Sequence, residues 1–153
     1  MTTTSFMWSR RWFLTCSVLV AISTLAPAEA DDRKDEPREH TTDSLETVQG
    51  RLEEKKAVLV DVRELVEWNA GHVQGAKFLP WRDLQDKLTE EDVAKRLPKD
   101  MILYTYCAVG YRSLRAAKIL KKYGYEVRAL KPGYEDLVKA GFPSEKPDTS
   151  KKP

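Results

Sequence analysis

Residues 101–123, MILYTYCAVGYRSLRAAKILKKY, change character twice, and those two changes decide the fold. Ile102, Leu103, Tyr104, Thr105 and Tyr106 are β-branched, aliphatic or aromatic, the composition of a strand covered on both faces. From Ser113 the period becomes helical. Ala116, Ile119, Leu120 and Tyr123 fall on one face, Arg115, Lys118 and Lys122 on another, and Gly124 stands where a helix C-cap is wanted. The residues between, Cys107 to Arg112, therefore make a strand-to-helix turn. In an α/β sheet such a turn lies at the carboxyl ends of the strands, where ligands bind, and aims backbone N–H groups at an anion on the helix N-terminus. A thiolate is such an anion. Helix N-termini and neighbouring cations bring a cysteine from about 8.5 down to roughly 3.5–7.5, which makes it a nucleophile at neutral pH. Gly110 lets the loop curl tightly, and Arg112 adds a cation or a side-chain strut.

CAVGYRS, residues 107–113, resembles the C-x-x-G-x-R-S active-site loop of the rhodanese (sulfurtransferase) family. The likeness continues on both sides. Upstream, VLVDVRELVEW followed by GHVQGAKFLP (Val58 to Pro80) is similar to that family's DVR, Glu-aromatic and GHI-x-GA block. Downstream, GYEVRALKPGYEDLVKAGFP (Gly124 to Pro143) resembles its closing segment. Lys131-Pro132-Gly133 stands where Gly-Gly is common, and Leu137 where Trp is usual. The resemblance implies a three-layer α/β sandwich around a mainly parallel sheet and a single-domain thiosulfate sulfurtransferase with Cys107 as catalytic residue. It further implies that Ala108, Val109, Gly110, Tyr111, Arg112 and Ser113 form an anion cradle, supported by Asp61, Arg63 and Glu67.

The rest of the chain frames that unit. At 153 residues, 41% hydrophobic and 33% charged, it makes one ordinary domain with polar ends. A formal net charge of +2 with mixed signs excludes an electrostatic footprint for nucleic acid. Residues 1–30 read as an export signal: Arg10 and Arg11 precede an apolar run from Leu14 to Leu25, and Ala-x-Ala sites end at Ala28 and Ala30. SRRWFLT resembles the twin-arginine consensus, which implies a periplasmic or otherwise exported protein; an ordinary Sec signal is the alternative. The apolar run is well short of the roughly 20 residues of a membrane span. Cys16 leaves with the signal, so Cys107 remains as a lone thiol with no disulfide partner.

Residues 31–42 read as a charged linker, residues 43–143 as the domain and residues 144–153 as a disordered tail. Thr42, Asp43 and Ser44 offer N-cap oxygens to a first helix, and Ala57 to Val62 make the first strand. Asp61 either fixes the backbone that follows it or sits beside the cysteine loop. Arg63 is either a second cation at the sheet edge or a solvated arginine. Glu67 is placed to pair with Arg112, which favours the strut. His72 belongs to a turn rather than to catalysis. A short strand spans Lys77 to Leu79, helices are expected over Trp81 to Leu88 and Thr89 to Leu97, a last strand over Glu126 to Leu130 and a closing helix over Gly133 to Ala140. One mature cysteine and two histidines cannot supply a structural zinc set, and no nucleotide glycine motif appears, so neither metal nor cofactor is expected.

Three chemistries compete for Cys107. Sulfur transfer from thiosulfate, a polysulfide or a persulfide to a thiol or cyanide runs through a Cys107 persulfide. Phosphatase or arsenate-reductase chemistry uses a cysteine, five residues and then arginine, and here Arg112 comes one residue sooner, which narrows the cradle. A non-enzymatic sulfur carrier or binding module shares the persulfide. The partners expected are small sulfur compounds, with a protein sulfur acceptor as an option and the chain itself a monomer.

Overall fold

The computed structural model describes residues 39–147; the expected export signal, residues 31–38 of the linker and residues 148–153 of the tail lie outside the described residues. Twelve elements follow in order: α1 (Leu45–Glu53), β1 (Ala57–Asp61), α2 (Leu65–Ala70), β2 (His72–Val73), β3 (Lys77–Phe78), α3 (Trp81–Asp86), α4 (Glu90–Ala94), β4 (Ile102–Tyr106), α5 (Tyr111–Lys122), β5 (Val127–Ala129), α6 (Tyr134–Lys139) and β6 (Ser144–Glu145). The main sheet has the order β3-β1-β4-β5, with every pairing parallel. The α/β sandwich expected from the alternating pattern is the fold observed.

Strand side chains alternate between two cores. Val60 and Leu103 pack with Leu84 of α3, Val93 of α4 and Ala116, Ala117 and Leu120 of α5. Leu59, Tyr104 and Tyr106 point the other way, to Val48 of α1 and Leu137 of α6. Both faces of β1 and β4 are thus covered, which is why these strands read as continuous apolar runs. Leu137 is fully buried and fills the place where the resembling family usually has Trp.

Local signals end the elements where chemistry requires. Ser44 caps α1 by accepting the Thr47 N–H at 3.2 Å, and Thr89 and Asp92 form the capping box of α4. Gly124 takes up a left-handed φ of 77° just past α5.

Both edges of the domain extend beyond the expected limits. The charge pattern puts residues up to 42 in a linker, yet the Thr41 N–H donates to the Ala129 carbonyl at 2.8 Å and the His40 ring reaches the Gly110 carbonyl. The tail is expected from residue 144, yet Ser144 and Glu145 pair antiparallel with Val73 and His72. Neither docking carries an apolar signature, because backbone and imidazole groups make the contacts. Helix α2 is a further addition; at six residues it is too short to show a period, and its start is marked by the Glu67 carboxylate, which accepts the Glu64 N–H at 3.0 Å.

Asp43 anchors the same leading segment. Its Oδ2 accepts from Tyr104 Oη at 2.6 Å, Arg51 Nη1 at 2.7 Å and Arg128 Nη1 at 2.7 Å. Burial pushes its pKa up, but the bonds from Tyr104, Arg128 and Arg51 outweigh that and hold the carboxyl well below the usual carboxylate range. A depressed folded-state pKa means stability that is present above about pH 4, the unfolded value, and is lost as pH falls through the folded one. Asp43→Asn is expected to cost about 2 kcal/mol at neutral pH, the scale of hydrogen bonds to a charged group. Denaturant melts should also show a flatter loss of stability below about pH 4 in the variant than in the parent. An equal acid slope in both would contradict the assignment.

Candidate active site

β4 ends at Tyr106 and α5 begins at Tyr111, so the turn is two residues shorter than the sequence period suggests. Gly110 makes the early start possible. It caps the helix with a φ of 84°, a left-handed conformation that L side chains rarely adopt. That curl turns the Gly110 N–H back onto Cys107 Sγ at 3.1 Å. Cys107 is a free thiol, fully buried against the α5 side of the core.

Contacts from distant parts of the chain hold the turn. Ser113, itself buried, places its hydroxyl 2.5 Å from the Gly110 carbonyl and 2.9 Å from the Leu130 carbonyl, sharing one proton between two acceptors. Thr105 Oγ1 donates to the Ser113 carbonyl at 3.1 Å. On the far side, the Tyr134 N–H donates to the Cys107 carbonyl at 2.9 Å. Gly133 lies so close that a Cβ there would stand 1.7 Å from the Ala108 carbonyl oxygen. Of the Lys131-Pro132-Gly133 departure, the residue that matters sterically is still glycine.

Arg112 and Glu67 form the expected pair. Arg112 Nη1 and Nη2 donate to Glu67 Oε2 and Oε1 at 2.6 and 2.8 Å, a two-pronged bond tying α2 to the first turn of α5. The guanidinium holds the Glu67 carboxyl below its ordinary value. Arg112 is raised in turn, chiefly by Glu67 and with a contribution from the neighbouring Cys107 sulfur. The Arg112–Glu67 pair thus stands at the start of the helix that follows the Cys107 turn.

Arg63 differs from both readings of it. It is buried, 4% exposed, and donates from Nε and Nη2 to Asp61 and from Nη2 to the Gly71 carbonyl at 2.7 Å. A long cation defaults to solvent, but a carboxylate two residues earlier and a free turn carbonyl satisfy its fork here. Asp61 does fix the backbone after it, accepting the Arg63 N–H at 2.9 Å. The Arg63 guanidinium also lies 4.2 Å from the centre of the Tyr134 ring. His72 stacks on Trp68 with ring centres 3.4 Å apart and its Nε2 lies 3.5 Å from Glu145, so it belongs to the turn and the β2–β6 pair.

Exposed apolar side chains flank the turn. Val109 and Tyr111 are 80% and 65% exposed, and Ala108 is exposed beside them. Leu65 and Val66 of α2 are also exposed, on the segment joined to α5 by Glu67 and Arg112. His40, counted with the linker in the sequence, reaches the Gly110 carbonyl.

Comparison with known proteins identifies the family. The chain is 36% identical over 95 residues to the thiosulfate sulfurtransferase GlpE of Ectopseudomonas mendocina, covering 61% of this chain and 81% of that one. It is 38% identical over 82 residues to Bacillus subtilis YqhL, an uncharacterised protein, covering 53% of this chain and only 60% of that relative's length. Among solved structures, the human single-domain sulfurtransferase TSTD1 superposes with a TM-score of 0.56 at 27% identity, over 64% of this chain and 95% of that one. The rhodanese-like domain model matches residues 44–140, from the first turn of α1 to the end of α6, and the chain belongs to that family.

Proposed function

We propose that the protein is a sulfurtransferase that carries sulfane sulfur on Cys107. The observation that supports this best is the Gly110 N–H on Cys107 Sγ at the N-terminus of α5. A backbone N–H and a helix N-terminus are groups that stabilise an anion formed on this sulfur during transfer. In the first half-reaction the Cys107 thiolate attacks the outer sulfur of the donor. The donor S–S bond breaks, its electron pair leaves on sulfite, a thiolate or a shortened polysulfide, and Cys107 becomes a persulfide anion. In the second, cyanide or a thiolate takes the terminal sulfur and Cys107 leaves as thiolate. The dipole of α5 stabilises the anion in both states, so neither half-reaction needs a dedicated base.

The surroundings favour a polysulfide or organic persulfide over thiosulfate as donor. Thiosulfate is a dianion. Arg112 is already engaged by Glu67, Arg63 is buried on Asp61, and the rim of Val109, Tyr111, Leu65 and Val66 offers apolar contact. The test is sulfur uptake by the full chain from the two donor classes. Polysulfide or an alkyl persulfide should give a kcat/KM at least about tenfold above thiosulfate, the scale of one hydrogen bond or charge contact. Thiosulfate preferred by the same factor would contradict the donor assignment.

A further inference from the structure

His40 lies before the first helix and outside the stretch matched by the family, yet its Nε2 stands 3.0 Å from the Gly110 carbonyl, 70 residues along the chain. A carbonyl can only accept, so the bond requires a proton on Nε2, a condition met by the Nε2–H tautomer and by the imidazolium alike. The segment is fastened at the residues that directly follow the ring. Thr41 N–H bonds to Ala129 at 2.8 Å, and Asp43 gathers Tyr104, Arg51 and Arg128. His40 is thus delivered by an anchored strap.

Gly110 needs such a brace. It is the residue whose N–H meets the sulfur, and it lacks the Cβ that would restrict its own torsions. Its carbonyl receives little from the helix, since the Leu114 N–H is 3.4 Å away. Ser113 Oγ divides its proton between this carbonyl and that of Leu130. Ser113 holds the carbonyl from within the turn at 2.5 Å, and the imidazole adds a second side-chain donor from a segment outside it; the carbonyl has lone pairs for both.

We propose that His40 is a positioning residue for Cys107: its Nε2–H holds the Gly110 carbonyl and so keeps the Gly110 N–H aimed at the sulfur. The kinetic consequence rests on the sulfur-transfer reading, whereas the consequence for the thiol does not. Two variants of the full chain separate donor from bulk. His40→Leu fills the space without a donor, and His40→Gln returns an N–H near the position of Nε2. The first measurement is the ultraviolet titration of the Cys107 thiolate, taken as the difference from Cys107→Ala. The second is kcat and KM for polysulfide-to-cyanide transfer. His40→Leu should move the thiol titration to higher pH and lower kcat roughly threefold to tenfold, the effect of one hydrogen bond, with KM nearly unchanged. His40→Gln should restore most of both. An unmoved titration in His40→Leu, or a His40→Gln titration as displaced as that of His40→Leu, would overturn the proposal. Absence of sulfur transfer in the parent protein would defeat the functional reading instead, and the titration would still decide the role of His40.

Discussion

Cys107→Ala is expected to lower sulfur transfer from polysulfide or thiosulfate to cyanide by at least roughly a thousandfold while the protein keeps its fold. The kinetic half of that expectation follows from the site. In the proposed scheme covalent catalysis passes through the Cys107 sulfur in both half-reactions, and removing a nucleophile typically removes nearly all the acceleration that its partners support. Gly110 and Arg112 keep their positions in such a variant, but the anion they stabilise is gone. The structural half follows from packing. Cys107 lies in the core beside Ala116 and Leu120 and behaves there as a small apolar group, so loss of its sulfur should cost only about 1 kcal/mol. Circular dichroism and a thermal melt alongside the cyanide assay check both halves. Retained transfer in a folded variant would remove Cys107 from the mechanism.

Gly133→Ala should also be damaging, through the backbone of the turn. A methyl group there would lie 1.7 Å from the Ala108 carbonyl oxygen and 3.2 Å from that of Cys107. The obstacle is backbone, which cannot swing aside like the end of a side chain. Either the Cys107–Gly110 turn or the start of α6 must retreat, with loss of the Tyr134 N–H bond to Cys107. Overpacking of this kind costs typically 1–3 kcal/mol, and a displacement near 1 Å at a reacting centre can cost about a hundredfold in rate. The expected result is therefore a drop of about a hundredfold in kcat/KM with a modest fall in stability. Gly50→Ala is the control. Nothing lies within 4 Å of a Cβ at that position in α1, and alanine there should stabilise the helix by about 1 kcal/mol with activity unchanged. Parental activity in Gly133→Ala would show that the turn is not held from that side.

These two substitutions mark what can be read from the chain and what cannot. Cys107, Gly110 and Arg112 announce themselves because a switch from strand to helix period encloses them, and the parallel sheet follows from apolar runs such as Ile102 to Tyr106. The Glu67–Arg112 pair is legible as well, since opposite charges on the segments after β1 and β4 meet at one sheet edge. What stays hidden is the hold on the turn. Ser113 reaches Leu130, Tyr134 reaches Cys107, and His40 reaches Gly110, each through a backbone group that every residue type possesses. Such contacts are set by tertiary placement and leave no compositional trace. Arg63 escapes its sequence reading for a related reason: its burial depends on the Gly71 carbonyl, eight residues away around a turn. The family resemblance names the loop, but not the strap that carries His40 onto it.

Whether Cys107 becomes a persulfide is open to mass spectrometry of the protein after treatment with polysulfide or thiosulfate. One added sulfur should appear, localised to the peptide that contains Cys107, and cyanide should remove it. An unmodified Cys107 peptide after both donors, or sulfur found only elsewhere in the chain, would be incompatible with sulfur transfer through this thiol.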